Sequence, residues 1–127
     1  MRIDEATLNQ LSHRVIACAL TVGKTLGPGF AEKVYENALS HELLKAGLAA
    51  TQQRGITVLY DGVVVGEYAC DVLVEEELLI EIKAVRGLED GHRAQCLIYL
   101  KATGLRLCLL INFGTPRLEI KRVVHGL

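Results

Sequence analysis

Hydrophobic and polar positions repeat with a helical period in the first third of the chain. The apolar residues that recur three and four positions apart are Leu8, Leu11, Val15, Ala19 and Val22. This spacing predicts an amphipathic helix, with Asp4 as its cap. The glycines and proline of "GPGF" interrupt the pattern, and a second helix is expected from about Phe30 to Ala46, with Gly47 as its C-terminal cap. The first third is therefore predicted to be a helical hairpin.

The period changes to that of β-strands in the middle of the chain. From Ile56, the segment "ITVLY", an Asp61-Gly62 turn and the segment "VVVGEYACDVLV" predict a β-hairpin rich in β-branched residues. The acidic triplet 75–77 is expected to form the next turn, a solvated one, and "LLIEIKAV" to return as a third strand. These segments predict three antiparallel strands.

Helical spacing resumes from about Glu89 to Ala102, with Ala94, Leu97 and Ile98 as the expected buried stripe and Gly104 as the stop. The nearly all-apolar "LRLCLLINF" then predicts a covered strand, reached by a right-handed parallel crossover. The segment "GTPRLEIKRVV" adds a last strand at an edge. The order ααβββαββ predicts an α/β (α+β) fold in which helices flank a mixed β-sheet.

Length and composition favour one compact domain over residues 1–127. Half of the residues are hydrophobic and the net charge is -1, which excludes a disordered class and counts against avid binding of a polyanion unless basic residues cluster. No apolar run reaches about 18 to 20 residues and the start is polar, so a cytoplasmic protein without membrane contact is expected. The four cysteines form no C-x-x-C pair and are interpreted as core thiols, not as zinc ligands or disulfides.

Two carboxylates and an amine interrupt the apolar stretch "CDVLVEEELLIEIKA". Glu81 and Lys83 point to the same face of their strand, since side chains alternate. If the turn has three residues, Val74 pairs with Leu78 and Asp71 lies directly opposite Glu81; a two-residue turn would place the two acids on opposite faces. We favour the facing register.

Opposed carboxylates in a partly buried position repel each other and lose hydration, and a divalent cation relieves both costs. Mg²⁺ commonly takes one or two protein carboxylates, with waters and substrate phosphates completing its shell. The alternative is a solvated face on which Asp71 and Glu81 pair with Lys83 or nearby arginines. The apolar surroundings favour a site.

Two helices offer further polar candidates. Glu32 lies one turn before the inward stripe of the second helix, although the helix dipole alone also favours a glutamate in a first turn. On the third helix Gln95 and Tyr99 are separated by one turn, with His92 one turn earlier. The structural alternative is that Gln95 caps a neighbouring backbone and Tyr99 is half core.

Together these residues resemble the PD-(D/E)XK nuclease superfamily, whose active site combines an acid on one strand with E-x-K or D-x-K on the next. Here the acid is Asp71 and the second element is Glu81-Ile82-Lys83. The stretch "GPGFAEKVYENAL" is similar to the signature of the small GxxExxY branch, with its glycine at 29, its glutamate at 32 and its tyrosine at 35. "AQCLIYL" followed by "LINFG" resembles that branch's Q-x-x-x-Y helix and the strand after it. A histidine often precedes the glycine-rich turn in the branch, where this chain has Gly23.

The resemblance implies a restriction-endonuclease-like fold and a nuclease that uses Mg²⁺ or Mn²⁺. By resemblance, Asp71, Glu81 and the carbonyl of Ile82 would ligate the metal, and Glu32 would complete or orient the site. Lys83 would position the attacking water. The remaining residues that it assigns to catalysis or substrate contact are Gln95, Tyr99, Tyr35 and His92.

Three functions therefore compete. The leading one is metal-dependent cleavage of DNA or RNA. The second is a non-catalytic module that binds nucleic acid or builds a homo-oligomer, which the small size and near-neutral charge favour. Hydrolysis of a small phosphorylated molecule is weaker, because the chain lacks a glycine-rich phosphate loop.

Overall fold

The computed structural model describes residues 2–127, and its elements follow the predicted order. The three helices and five strands are α1 (Glu5–Leu26), α2 (Glu32–Lys45), β1 (Ala50–Tyr60), β2 (Val63–Val74), β3 (Leu78–Lys83), α3 (Asp90–Thr103), β4 (Leu107–Asn112) and β5 (Glu119–Val124). The order ααβββαββ is confirmed. Within the described residues no helix is both long and apolar enough to span a membrane.

All five strands belong to one mixed sheet in the order β1-β2-β3-β4-β5. β3 and β4 run parallel, and the other neighbouring strands are antiparallel. The parallel step follows α3, because parallel neighbours need a long crossover between them. β5 lies at an edge, as predicted, and β1 forms the opposite edge.

Local signals in the sequence explain the element ends. Asp4 caps α1, accepting a hydrogen bond of 2.8 Å from the Thr7 amide. The whole predicted apolar stripe of α1 is buried. The β1–β2 turn has positive φ at Asp61 and Gly62, as a tight hairpin turn requires.

Two apolar layers cover the two faces of the sheet. On one face, Leu78, Ile80 and Ile82 of β3 pack against α1 and α2. On the other, Leu79 packs with Leu110 of β4 and with α3. Because side chains alternate, Glu81 and Lys83 belong to the α3 face.

The prediction of the buried stripe of α3 is wrong, because the helix is rotated about its axis relative to the predicted orientation. Ala94 and Ile98 are exposed, and the buried residues are Cys96, Tyr99 and Leu100. Apolar residues fill every position from 96 to 100, so periodicity alone does not set which face is buried. The actual face turns Tyr99 toward the sheet.

Candidate active site where β2 leaves β3

The candidate site lies at the point where β2 and β3 stop pairing. Glu75–Glu77 form a three-residue turn, so Val74 pairs with Leu78, and the ladder continues only to Val72 opposite Ile80. Counted onward in the same register, Asp71 faces Glu81. The predicted facing register is therefore the one that the chain adopts.

Side chains replace the backbone bonds beyond that point. The Asp71 amide donates to Oε1 of Glu81 at 3.0 Å, and the Ile82 amide donates to Oδ2 of Asp71 at 2.7 Å. Each carboxylate thus accepts a hydrogen bond from the backbone of the opposite strand. The two acids hold the diverging strands together.

This pair of carboxylates is largely removed from water. Glu81 is only 4% exposed, and burial, with the nearby charge of Asp71, raises the pKa of Glu81 to about 8. Burial also raises the pKa of Asp71. Lys83 lowers the pKa of both acids through its charge, but it forms no ion pair within 4.0 Å among residues 2–127. Burial is therefore the main reason that both carboxyl groups hold a proton more strongly than in water.

The backbone of Ile82 adds a third oxygen to this edge. Its amide points toward β2, where it bonds Asp71, whereas the Lys83 carbonyl on the next residue points toward β4 and accepts from the Phe113 amide at 2.8 Å. In a strand the amide and carbonyl of one residue point to the same side. The Ile82 carbonyl is thus directed toward the gap between β2 and β3.

These donors fit a divalent cation of the Mg²⁺ type. Two carboxylates and one carbonyl are hard oxygen ligands of the kind that Mg²⁺ takes. No group of three acidic, histidine or cysteine side chains within residues 2–127 is arranged to hold a metal. Glu32 therefore does not join Asp71 and Glu81 as a third carboxylate ligand in this geometry. It is exposed in the first turn of α2, and its charge contributes to the raised pKa of Glu81.

A buried glutamate that the sequence analysis did not single out supports the site from α2. Glu36 is 4% exposed, pairs with Lys33 at 2.9 Å, and accepts hydrogen bonds from the amides of Gln52 and Gln53 at 2.7 and 2.8 Å. The same Gln53 nitrogen lies 3.3 Å from Oδ1 of Asp71. Glu36 therefore connects α2 to β2 through β1.

Gln53 has a backbone conformation that is uncommon for a residue with a side chain. Its φ is 52°, and no pair joins it to Asp71, although the pairs on either side keep one register. Such left-handed residues cost about 1 kcal/mol or more and cluster at functional sites. The distortion directs the Gln53 amide between Glu36 and Asp71.

Asn112 holds the end of β3 on the β4 side and was also missed. Its buried side chain bonds both the amide and the carbonyl of Val85 at 3.0 Å, and the Gly114 amide at 3.0 Å. The chain directly after Lys83 is thereby fixed. The sequence does indicate Asn112 as a polar residue at the end of an all-apolar strand, but its partner Val85 is distant in sequence.

Tyr99 lies beside the acids, and Gln95 lies on the same helix. Tyr99 is 4% exposed, and burial, together with the charges of Glu81 and Asp71, raises the pKa of its hydroxyl to about 12. Gln95 is partly buried one turn earlier. Both residues belong to α3, which covers the face that carries Glu81 and Lys83.

Tyr35 and His92 have structural roles in this chain. Tyr35 is fully buried and stacks on Phe113 at 4.7 Å; its hydroxyl donates to the Gly27 carbonyl at 2.6 Å and accepts from the Phe30 amide. It therefore fixes the turn before α2 and has no surface to offer a substrate. His92 accepts from the Glu89 amide through Nδ1 at 3.0 Å and caps α3.

Comparison with known proteins agrees with this geometry. A family model described as the PD-(D/E)XK nuclease superfamily matches residues 9–123. The chain belongs to this superfamily. No curated protein matches it.

Solved structures in the comparison share the superfamily's fold. SSO0001 is 20% identical, with a TM-score of 0.60 over 75% of this chain and 50% of that chain. An alkaline exonuclease from Laribacter hongkongensis is 14% identical, with a TM-score of 0.56 over 99% of this chain and 73% of that chain. The chain thus spans only half the length of SSO0001. At these identities the likeness shows the fold alone.

Proposed function

We propose that the protein is a phosphodiesterase that cleaves DNA or RNA with the help of Mg²⁺ or Mn²⁺. The observation that carries the proposal is the facing placement of Asp71, which is partly buried, and Glu81, which is buried, just beyond the β2–β3 ladder, with Lys83 two residues further on. Membership of a nuclease superfamily supports the same activity.

In this proposal Asp71, Glu81 and the Ile82 carbonyl hold the metal. A bound divalent cation supplies charge neutralisation at the phosphate and a more acidic water. Lys83 orients the attacking water and stabilises the negative charge that develops on the phosphate oxygens, because its positive charge acts on both acids. The surrounding apolar layer strengthens these interactions by excluding water.

The helices supply the remaining proposed roles. Gln95 and Tyr99 contact the substrate or hold the water from the α3 side, and Glu32 orients the metal site through its charge from the start of α2. We also infer that the chain belongs to the GxxExxY branch. Its support is the match at Gly29 and Glu32, and at Tyr35, whose hydroxyl fixes the turn. A single cytoplasmic domain remains our expectation.

The test is cleavage of labelled single- and double-stranded DNA and RNA in Mg²⁺, Mn²⁺ or EDTA. Lys83→Ala should lower the cleavage rate by a factor of about 10² to 10³, whereas Lys121→Ala, a change at an exposed lysine on β5, should leave it unchanged. Equal cleavage by wild type and Lys83→Ala, prepared identically, would show that the activity comes from a contaminant.

The second candidate is a non-catalytic binding or assembly module on the same fold. The observation that favours it is the exposed end of the β1–β2 hairpin, which carries large apolar side chains such as Tyr60 and Val65. If no polymer is cut under any metal condition although the protein is folded, this second function replaces the first.

A further inference from the structure

The hairpin formed by the outer parts of β1 and β2 extends beyond the rest of the sheet. β2 pairs with β3 only through Val72–Val74, and in that register residues 63–68 lie beyond the end of β3, with β1 on one side and no strand on the other within the described chain. β1 is itself an edge strand. We call residues 56–68 the arm; both of its backbone edges are open. Open edges and two-stranded ribbons are marginal in water unless something covers them.

The arm exposes large apolar side chains from its tip to its base. They are Leu59 (60% exposed), Tyr60 (71%), Val63 (60%), Val64 (55%), Val65 (60%) and Tyr68 (42%). An irregularity at Val58/Leu59 leaves Val65 without a cross-strand partner, so three valines in succession are exposed.

The exposed area is spread over both faces of the two-stranded arm and approaches what one partner of a stable complex covers. Aromatic side chains contribute roughly 150–250 Å² when fully buried and aliphatic ones less, so these fractions amount to on the order of 600 Å² per copy. A standard interface covers about 800 Å² on each partner. The patch lies at the upper end of the range found on monomers, about 300–600 Å².

Charge identifies what kind of surface can cover the arm. From Gly55 to Ile82 the chain contains acidic residues but no lysine or arginine, so the arm offers nothing to the phosphates of nucleic acid or of an anionic membrane. The whole chain has a net charge of -1, and a near-neutral protein associates with itself against little repulsion.

We propose that the arm is a dimerisation surface whose partner is a second copy of this chain. The two arms pack on each other about a two-fold axis, which brings the same apolar patch from each copy together. At the base of the arm Tyr68 lies against Tyr99, with their ring centres 5.6 Å apart. The surface is thus continuous with the α3 helix beside the acids, although the proposal stands whether or not the acids are catalytic.

The test is the mass of the full chain by light scattering and sedimentation, with two matched variants. Leu59 on the arm and Leu44 on α2 are exposed to nearly the same degree, 60% and 62%. At about 50 μM, wild type and Leu44→Lys should have twice the chain mass of 13.9 kDa, whereas Leu59→Lys should weaken association at least tenfold, about 1.4 kcal/mol. Circular dichroism verifies that each variant is folded.

Three results would overturn the proposal. Wild type could be a monomer at this concentration, or a dimer that Leu59→Lys does not weaken, which would place the interface elsewhere. It could also be a monomer that binds vesicles of neutral lipid through Leu59, which would make the arm a membrane contact. A failure of cleavage in the earlier assay leaves the dimer test unaffected.

Discussion

The two neighbours of β3 pair with it in different ways. β4 runs alongside all six residues of β3, Leu78–Lys83 against Leu107–Asn112. β2 pairs with β3 at three positions and then diverges, leaving Asp71 and Glu81 to bond the opposite backbone. One side of the strand is closed by regular pairing, and the other side is open.

This difference shows how a small domain can hold like charges together. The closed side fixes the position of Lys83, because Asn112 and Phe113 bond the chain at and just after it. The open side leaves two carboxylates and a carbonyl facing a gap, and the amides of Asp71 and Ile82 offset part of the cost of burying the acids. If β2 also paired with β3 along its whole length, the amide and carbonyl of Ile82 would bond β2 and would not be available to the site.

The largest expected effect comes from disrupting the closed side. A Cβ added at Gly114 would lie 2.3 Å from the Val85 carbonyl oxygen and 2.4 Å from the Val85 amide nitrogen, and backbone atoms cannot move aside cheaply. Gly114→Ala should therefore lower the free energy of unfolding by about 3 kcal/mol or more, measured by urea denaturation.

Gly91→Ala is the matched control, because nothing lies within 4 Å of the added Cβ on α3. This variant should leave the free energy of unfolding unchanged or raise it by up to about 1 kcal/mol. If the two alanine variants had equal stability, the close packing of the closed side would be refuted.

The buried carboxyl group on the open side should make the free energy of unfolding depend on pH when no metal is bound. Because burial raises the pKa of Glu81 from 4.5 to about 8, the folded chain keeps a proton that the unfolded chain releases. The resulting stabilisation is complete below pH 4.5 and is lost as pH rises through 8. In EDTA, wild type should therefore lose roughly 3 kcal/mol between pH 5 and 9 that Glu81→Gln retains.

Glu67→Gln provides the comparison for this pH effect, since Glu67 is an exposed carboxylate on the same strand as Asp71. The free energy of unfolding of Glu67→Gln should depend on pH in the same way as that of wild type. Parallel curves for wild type and Glu81→Gln would mean that Glu81 is not held in a buried, acid-facing position.

Much of this arrangement follows from the sequence. Counting three turn residues after Val74 gave the register that places Asp71 opposite Glu81, because a ladder transmits one pairing to all others. The start of β1 did not follow: the strand begins at Ala50, not near Ile56, since residues 51–55 lie at an exposed edge and carry no apolar alternation.

Because β1 begins earlier than the sequence predicts, the contact of its first residues with Glu36 was not predicted either. Gln52 and Gln53 bond Glu36 only because the polar segment before Ile56 is a strand that passes beside α2. A glutamate on a helix ordinarily indicates a solvated face, and its burial depends on partners that local patterns do not reveal.

The most direct test of the central claim is calorimetric titration of Mn²⁺ into the metal-free protein near pH 7. Wild type and Glu67→Gln should bind one ion at the open side and release protons, because the pKa of Glu81 lies near 8. Asp71→Asn, which can still accept the Ile82 amide, should bind at least tenfold more weakly, a loss of about 1.4 kcal/mol. Equal binding by wild type and Asp71→Asn would contradict the claim that these two carboxylates form the metal site.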